Sequence, residues 1–333
     1  MKPEGARGSI FFRHEIALLF LLALEWFYFN SVGRNFSSLD NTFDMARHSV
    51  EIGLLALALT PVILTGGIDL SVGSLLGLCA ILFGKLWRDG HWPVWGAASM
   101  SLVFGVLGGG VNALLITRLR LPPLIVTLGT FSLFRGVAEA ITRGVDTFTN
   151  FPPSFLFLGQ ERVLGLPAQV PIFVLVAGVM ALLVHRTVLG RSWQAIGFSP
   201  EGARHAGLPV RRRLDLVYIM SGLIAGLAAV IYTSRMGQAR ADAGTGYELL
   251  AITAVVLGGA RIESGSGSVP GTLLGVAVIA VLNNGLVHAR QPREMAGMLT
   301  GALLLLALTL PRLPKMLSRF RAAPQTDPLP RPH

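Results

Sequence analysis

Apolar runs, most of them about eighteen residues or longer, follow one another through almost the whole of this chain. A helix of that length rises far enough to cross the hydrocarbon of a bilayer, so such runs read as membrane spans. Open sheets cannot sit in lipid, where no water is present to satisfy an unpaired edge. A chain this rich in Ala, Leu and Gly is therefore expected to be an all-α, polytopic membrane bundle. Composition agrees, since 52% of the residues are hydrophobic and only 14% are charged, against about 25% charged in soluble domains.

The expected spans are 14–33, 43–64, 70–87, 94–117, 122–143, 169–186, 214–234, 248–260, 267–288 and 295–312. The second and third are separated only by Thr65-Gly66-Gly67-Ile68-Asp69. The eighth is too short for a full crossing, and segments of that kind persist only when covered by protein or lining a cavity. Ten spans place both termini on one side. Counting Lys and Arg by side gives seventeen with the N-terminus and ten opposite, which puts both termini in the cytoplasm. The resulting division is a cytoplasmic N-terminus 1–13, a transmembrane domain 14–312 with a cytoplasmic loop 187–213, and a short disordered tail 313–333. The net charge of +10 is explained by arginines at span ends, so topology accounts for it without nucleic acid. The start lacks the cleavage site of a signal peptide and reads as a retained first span. The single cysteine, Cys79, excludes an intrachain disulfide.

Between Arg186 and Arg213 the chain turns polar and basic. Ser199-Pro200-Glu201 has the form of a helix start, a hydroxyl cap followed by proline and an acid. Gly207 and Pro209 stop that helix after about two turns. A short helix on the arginine-rich side has no role toward lipid, and it is either an ordinary solvated loop or a surface for a cytoplasmic partner. The outer loop Gly144 to Ala168 holds Phe148, Phe151, Phe155 and Phe157. It reads as an aromatic cap resting at the lipid interface or receiving a partner.

No phosphate loop, His-Glu-x-x-His or Gly-x-Ser-x-Gly occurs, and the seven histidines are scattered. Enzymatic chemistry, nucleotide hydrolysis and a metal site are not expected. In Thr65-Gly66-Gly67-Ile68-Asp69-Leu70-Ser71-Val72-Gly73-Ser74 the glycines permit a reversal, and Asp69 can accept from the amide of Ser71 or Val72. Asp69 is a helix cap or, as an acid near membrane depth, a functional group. Arg135 and Glu139, four apart, can pair on one helix face. Asn112, Thr127, Asn283 and Asn284 can contact a hydroxyl-rich solute or bond neighbouring helices. The glycine pairs 73/77, 105/109, 222/226, 271/275 and 297/301 stand four apart, but chance placement of 39 glycines already predicts about five such pairs.

The segment Gly66-Gly67-Ile68-Asp69-Leu70-Ser71-Val72-Gly73 resembles a signature of ribose-type permeases of ATP-binding-cassette importers. So do Gly246-Tyr-Glu-Leu-Leu-Ala-Ile-Thr-Ala-Val-Val-Leu-Gly-Gly259, Gly265-Ser-Gly-Ser-Val-Pro-Gly-Thr-Leu-Leu-Gly275, Gly190-Arg-Ser-Trp-Gln-Ala-Ile-Gly197 and Leu282-Asn-Asn-Gly-Leu286. The likeness runs from about residue 45 to 310. It departs from the family at Phe198-Ser199, where Gly-Asn is usual, and at Ser264-Gly265, where paired glycines are usual.

The resemblance implies a permease subunit in a bacterial inner membrane, paired with an identical or paralogous second permease. Two separate ATPase subunits would use the ATP, and a periplasmic sugar-binding protein would deliver the solute. It implies that Ser199, Pro200, Glu201, Ala203, Arg204, Gly207 and Leu208 form the coupling helix that meets the ATPase. Gly237-Gln-Ala-Arg-Ala-Asp242 is similar to the rhamnose or autoinducer-2 branch. The alternatives are an ion-coupled secondary transporter, for which Asp69 and Glu139 are the acidic candidates, and a receptor subunit without transport.

Overall fold

The computed structural model describes residues 5–33, 35–261 and 264–309. The tail 313–333, part of the 1–13 segment, and Lys2, Arg34, Arg312, Lys315, Arg319, Arg321 and Arg331 of the charge count lie outside the described residues. In chain order the helices are α1 (Gly5–Val32), α2 (Leu39–Leu64), α3 (Val72–Arg88), α4 (Val94–Thr117), α5 (Pro123–Thr142) and α6 (Pro153–Gln160). A two-stranded antiparallel hairpin follows, β1 (Arg162–Val163) with β2 (Leu166–Pro167). Then come α7 (Val170–Arg186), α8 (Val188–Phe198), α9 (Pro200–His205), α10 (Val210–Met236), α11 (Tyr247–Leu257), α12 (Val269–His288) and α13 (Arg293–Thr309).

The chain is thus an all-α polytopic bundle. Among the described residues six helices are long and apolar enough to cross a membrane, and seven if α7 and α8, bent by 67° at their junction, count as one span. The expected spans 70–87, 248–260 and 295–312 coincide with α3, α11 and α13, of 17, 11 and 17 residues. At 1.5 Å per residue α11 is far too short to cross alone.

Local chemistry explains the element boundaries. Ser38 caps α2 by accepting from the amide of Asn41 at 3.2 Å, and Ser268 caps α12 from Gly271 at 3.0 Å. Prolines occupy the first turn of α5, α6, α7, α9 and α12, where a missing N–H costs nothing. Thr187 makes the α7–α8 elbow, accepting from Leu189 N at 3.1 Å while its hydroxyl donates to Leu183 O at 2.6 Å.

The centre of the bundle is α2, whose inner half from Leu54 to Leu64 is buried without interruption. A helix apolar all round belongs in such a place. Around it pack α10, α11 and α12, with α3 and α4 completing the layer against α10. Three of the five glycine pairs interlock between helices. A methyl on Gly105 would fall onto the carbonyl of Gly222, and one on Gly109 onto that of Tyr218; one on Gly226 would lie 2.6 Å from Ser101 O. Gly271 and Gly275 press in the same way against Gly258 and Ala254. Spacing statistics did not separate these pairs from Gly297 and Gly301, which have nothing within 4 Å among the described residues.

Two expectations are corrected. Three of the four phenylalanines of the 144–168 loop do not rest at the lipid interface: Phe148, Phe151 and Phe155 are buried, and Phe157 alone of the four is exposed. Phe151 stacks on Phe83 of α3 with centroids 5.2 Å apart, and Phe148 exchanges backbone hydrogen bonds with Ala239. The loop is a plug over α3, because three rings offer too much apolar area to leave uncovered. Nor does Arg135 pair with Glu139. Glu139 is exposed, while Arg135 Nη1 donates to the carbonyls of Ala241 and Ala243 in the α10–α11 loop.

The interlocked glycines make a direct prediction. Gly109→Leu and Gly222→Leu force the α4 and α10 backbones apart and are expected to destabilise the protein by about 3 kcal/mol or more. Gly178→Leu, at an α7 position with nothing within 4 Å, is expected to be neutral. Thermal unfolding in detergent, followed by tryptophan fluorescence, distinguishes the two classes.

Candidate functional site

The break between α2 and α3 is built from the residues singled out by sequence. Gly66 takes φ +82°, a left-handed conformation suited to glycine, and the Gly67 amide bonds to Val62 O at 3.0 Å. A methyl on Gly67 would lie 2.5 Å from the Tyr218 hydroxyl of α10, so glycine is also needed there for space. Two residues on, Asp69 is 2% exposed.

A carboxylate in such surroundings must find donors within the protein. Asp69 Oδ1 accepts from Ser71 N at 2.9 Å and from Ser71 Oγ at 2.6 Å; Oδ2 accepts from Ser221 Oγ of α10 at 3.0 Å. The chain of bonds continues outward. Asn112 of α4 donates to Ser71 Oγ at 2.8 Å, and Thr130 of α5 donates to Asn112 Oδ1 at 2.7 Å. Thr127 donates to Ile68 O at 3.1 Å. The loop is therefore bonded to α4, α5 and α10 at once. Ser71 and Thr127 are fully buried, as are Asn112 and Ser221.

The four candidate pathway residues do not meet at one place. Asn112 and Thr127 serve the α2–α3 loop. Asn284 forms a reciprocal pair with Asn41 at the start of α2, both bonds 2.9 Å, and Asn283 beside it is half-buried. Three polar groups that sequence reasoning did not single out are also buried. Glu51 of α2 pairs with Arg235 of α10 at 2.7 Å, Ser221 holds Asp69, and Glu248 opens α11. Glu51 and Glu248 were visible as acids inside or at the edge of apolar runs, the one signal that could have found them.

Beyond α8, which packs on the C-terminal end of α2, lies the short helix α9. Ser199 accepts from Gly202 N at 3.0 Å, so serine supplies the cap. Gly207, at φ +81°, ends the helix with its amide on Arg204 O, and Leu208 N returns to Ala203 O, both at 3.0 Å. Only Ala203 is buried, packed with Ile196 and Val210 and flanked by Leu208. Pro200, Glu201, Arg204 and Gly207 face outward. Behind it, α8 sits directly on the end of α2. A methyl on Gly197 would fall onto Leu64 O and lie 2.8 Å from the Cα of Gly265.

The sequence profile of the family described as "Branched-chain amino acid transport system / permease component" matches residues 41–308. The chain belongs to this permease family. It is similar to the autoinducer 2 import system permease protein LsrD of Escherichia coli (strain K12), 40% identical over 299 residues that cover 88% of this chain and 90% of that one. The LsrD of Shigella flexneri matches to the same extent, and that of Escherichia coli O157:H7 is 39% identical. Among solved structures, an inward-facing conformation of an ABC transporter assigned to the metal-chelate type shares the fold. Its TM-score is 0.52 at 15% identity, over 89% of this chain and 97% of that one.

The protein is accordingly a multi-pass membrane permease of the ABC-importer kind, a transport subunit and not an enzyme. Nothing in the permease has to perform bond chemistry, and the site is to be judged by what it binds and what it transmits. The polar layer is one cooperative unit, which sets a test. Asn112→Ala removes one buried hydrogen-bond partner from each of the Ser71 and Thr130 hydroxyls, and is expected to cost about 1–3 kcal/mol. Because both residues belong to one network, the cost of Asn112→Ala combined with Ser221→Ala should depart from the sum of the single losses by about 0.5 kcal/mol or more. Unfolding midpoints of the two single variants and the double variant measure this.

Proposed function

We propose that this permease forms the membrane path of a bacterial ABC importer for a small sugar-like solute of the rhamnose or autoinducer-2 kind. A second permease subunit completes the path, separate ATPase subunits supply energy, and a periplasmic binding protein delivers the solute. The observation that carries the proposal is α9, capped at both ends, anchored by Ala203 alone and otherwise exposed. The relatives named above are import-system permeases, which supports the direction of transport and the class of solute.

In this reading 14–312 is the transmembrane domain, 1–13 and 313–333 lie in the cytoplasm, and 187–213 is the cytoplasmic coupling loop. Helices α7 and α8 then form one broken span and its cytoplasmic continuation, and α11 a re-entrant segment. An energy source outside the chain can act only through a contact whose geometry differs between states. Ser199, Pro200, Glu201, Arg204, Gly207 and Leu208 offer that contact, with a cavity of about 790 Å³ beside it lined by His185, Arg191, Phe198 and Arg261. Movement of α9 passes to α8 through Ile196, and from α8 to the end of α2 through the backbone contact of Gly197 with Leu64. Leu64 immediately precedes the Thr65–Ser71 loop. A rigid-body shift at the inner face therefore reaches the loop that holds Asp69 without a flexible element between them. An ion-coupled carrier would need no such exposed helix.

Gly207→Trp places a bulky side chain on the exposed end of α9 and is expected to lower solute uptake by about tenfold or more while ATP hydrolysis by the partner subunits continues. Wild-type uptake in that variant overturns the coupling role. Orientation has its own test. Cys79 is buried, so Arg204→Cys provides an accessible thiol that a membrane-impermeant maleimide is expected to label in inverted vesicles and not in intact cells.

A further inference from the structure

Two long sequence motifs far apart in the chain, the one with Gly73 and the one from Gly246 to Gly259, touch each other on one face of α3. Glu248, in the first turn of α11, accepts from the Gly246 amide through Oε1 at 3.1 Å. Its other oxygen, Oε2, lies against Gly73, where a methyl group would collide with it. One turn along α3, Gly77 leaves room in the same way for the Arg135 guanidinium: a methyl there would be 2.9 Å from Nη1 and 2.8 Å from Ala243 O. Gly73 and Gly77 are thus small because an acid and a base from two other helices lie over them.

These two groups are incompletely satisfied. Glu248 is 7% exposed, and its Oε2 has no hydrogen-bond partner among the described residues; Arg135 Nη2 is buried and also has none among them. They do not satisfy each other, since no ion pair within 4.0 Å joins them. Buried polar atoms in native proteins are nearly always paired, and those left over call for a partner. Asp69, Ser71, Asn112 and Thr130, by contrast, are already bonded to one another.

The geometry points to Arg135 and Glu248, which lie over the Gly73–Gly77 face of α3, as a recognition site for a neutral polyhydroxylated solute. A guanidinium offers only donors, and a carboxylate only acceptors, so together they match hydroxyl groups, which do both. The pair carries no net charge. An arginine alone would select an anion, and a glutamate alone a cation; the combination favours neither. A site of this kind discriminates through the hydroxyl it bonds, because an analogue without that group leaves the buried partner unpaired. The inference rests on the importer reading above and names which residues of the path contact the solute.

The test uses the complete importer in proteoliposomes with its binding protein outside. The probes are D-ribose, L-rhamnose and autoinducer-2, each compared with an analogue lacking one hydroxyl and corrected for the binding protein's own preference. For the transported probe, Glu248→Gln and Arg135→Gln are expected to reduce the preference over the deoxy analogue by about tenfold. Glu248→Asp should keep part of it, and Glu139→Gln, exposed one turn from Arg135, all of it. A fall in rate that is equal for both compounds, with the preference intact, assigns Glu248 and Arg135 to structure and overturns the proposal. So does unchanged transport. Where Glu248→Gln does not reach the membrane, Glu248→Asp and Arg135→Gln are read by the same criterion. If the wild-type importer transports none of the probes, it is the solute class proposed in the preceding subsection that fails.

Discussion

A chain that breaks its helix inside a helical bundle exposes amides, carbonyls and here a carboxylate where water cannot reach them. Every such group must be bonded to protein, and this requirement organises the permease around the Thr65–Ser71 loop. Asp69 draws donors from its own loop and from α10; Asn112 and Thr130 extend the chain of bonds through α4 and α5. A helix residue as many as 152 positions along the chain from Asp69 is thereby fixed relative to one short segment. Lipid supplies no hydrophobic force to hold helices together, so such bonds and close packing do so.

Close packing is the second half of the same solution. The α4–α10 contact runs over Gly105, Gly109, Gly222 and Gly226, where backbone meets backbone. That proximity lets Ser221 of α10 and Asn112 of α4 reach the loop from two sides. On α3, Gly73 and Gly77 play a different part. Their missing side chains make room for Glu248 and Arg135. The same residue type therefore closes one interface and leaves space for polar groups at another.

Mechanical continuity follows from the order of the elements. The exposed helix α9, the elbowed α8 and the end of α2, which leads into the Thr65–Ser71 loop, form an unbroken series of tight contacts. Packed interfaces of this kind move as units, so a displacement imposed at one end of the series is carried to the other. Glu51 with Arg235 ties the opposite half of α2 to the end of α10. The α10–α11 loop that supplies carbonyls to Arg135 begins just beyond that ion pair.

The sequence by itself determined that the chain is a helical membrane bundle, where most of its long helices fall, and that a capped helix stands at Ser199–Gly207; the short helices α6 and α8 and the β1–β2 hairpin were not read from it. The properties that were read are local: run length, proline and hydroxyl placement, and glycine at a chain stop act over a few residues. The motif residues around Asp69 were legible for the same reason, as an acid and glycines where an apolar chain must turn. What only the tertiary structure decided was which groups meet. Arg135 had an acid four residues away and bonded instead to carbonyls more than a hundred residues on. Phe148, Phe151 and Phe155, aromatic enough for a lipid surface, turned inward over α3. Glycine pairs that spacing could not rank became interlocked or stood free according to the partner helix. Partner choice depends on the arrangement of whole helices, and periodicity along one helix carries no record of the surface that will face it.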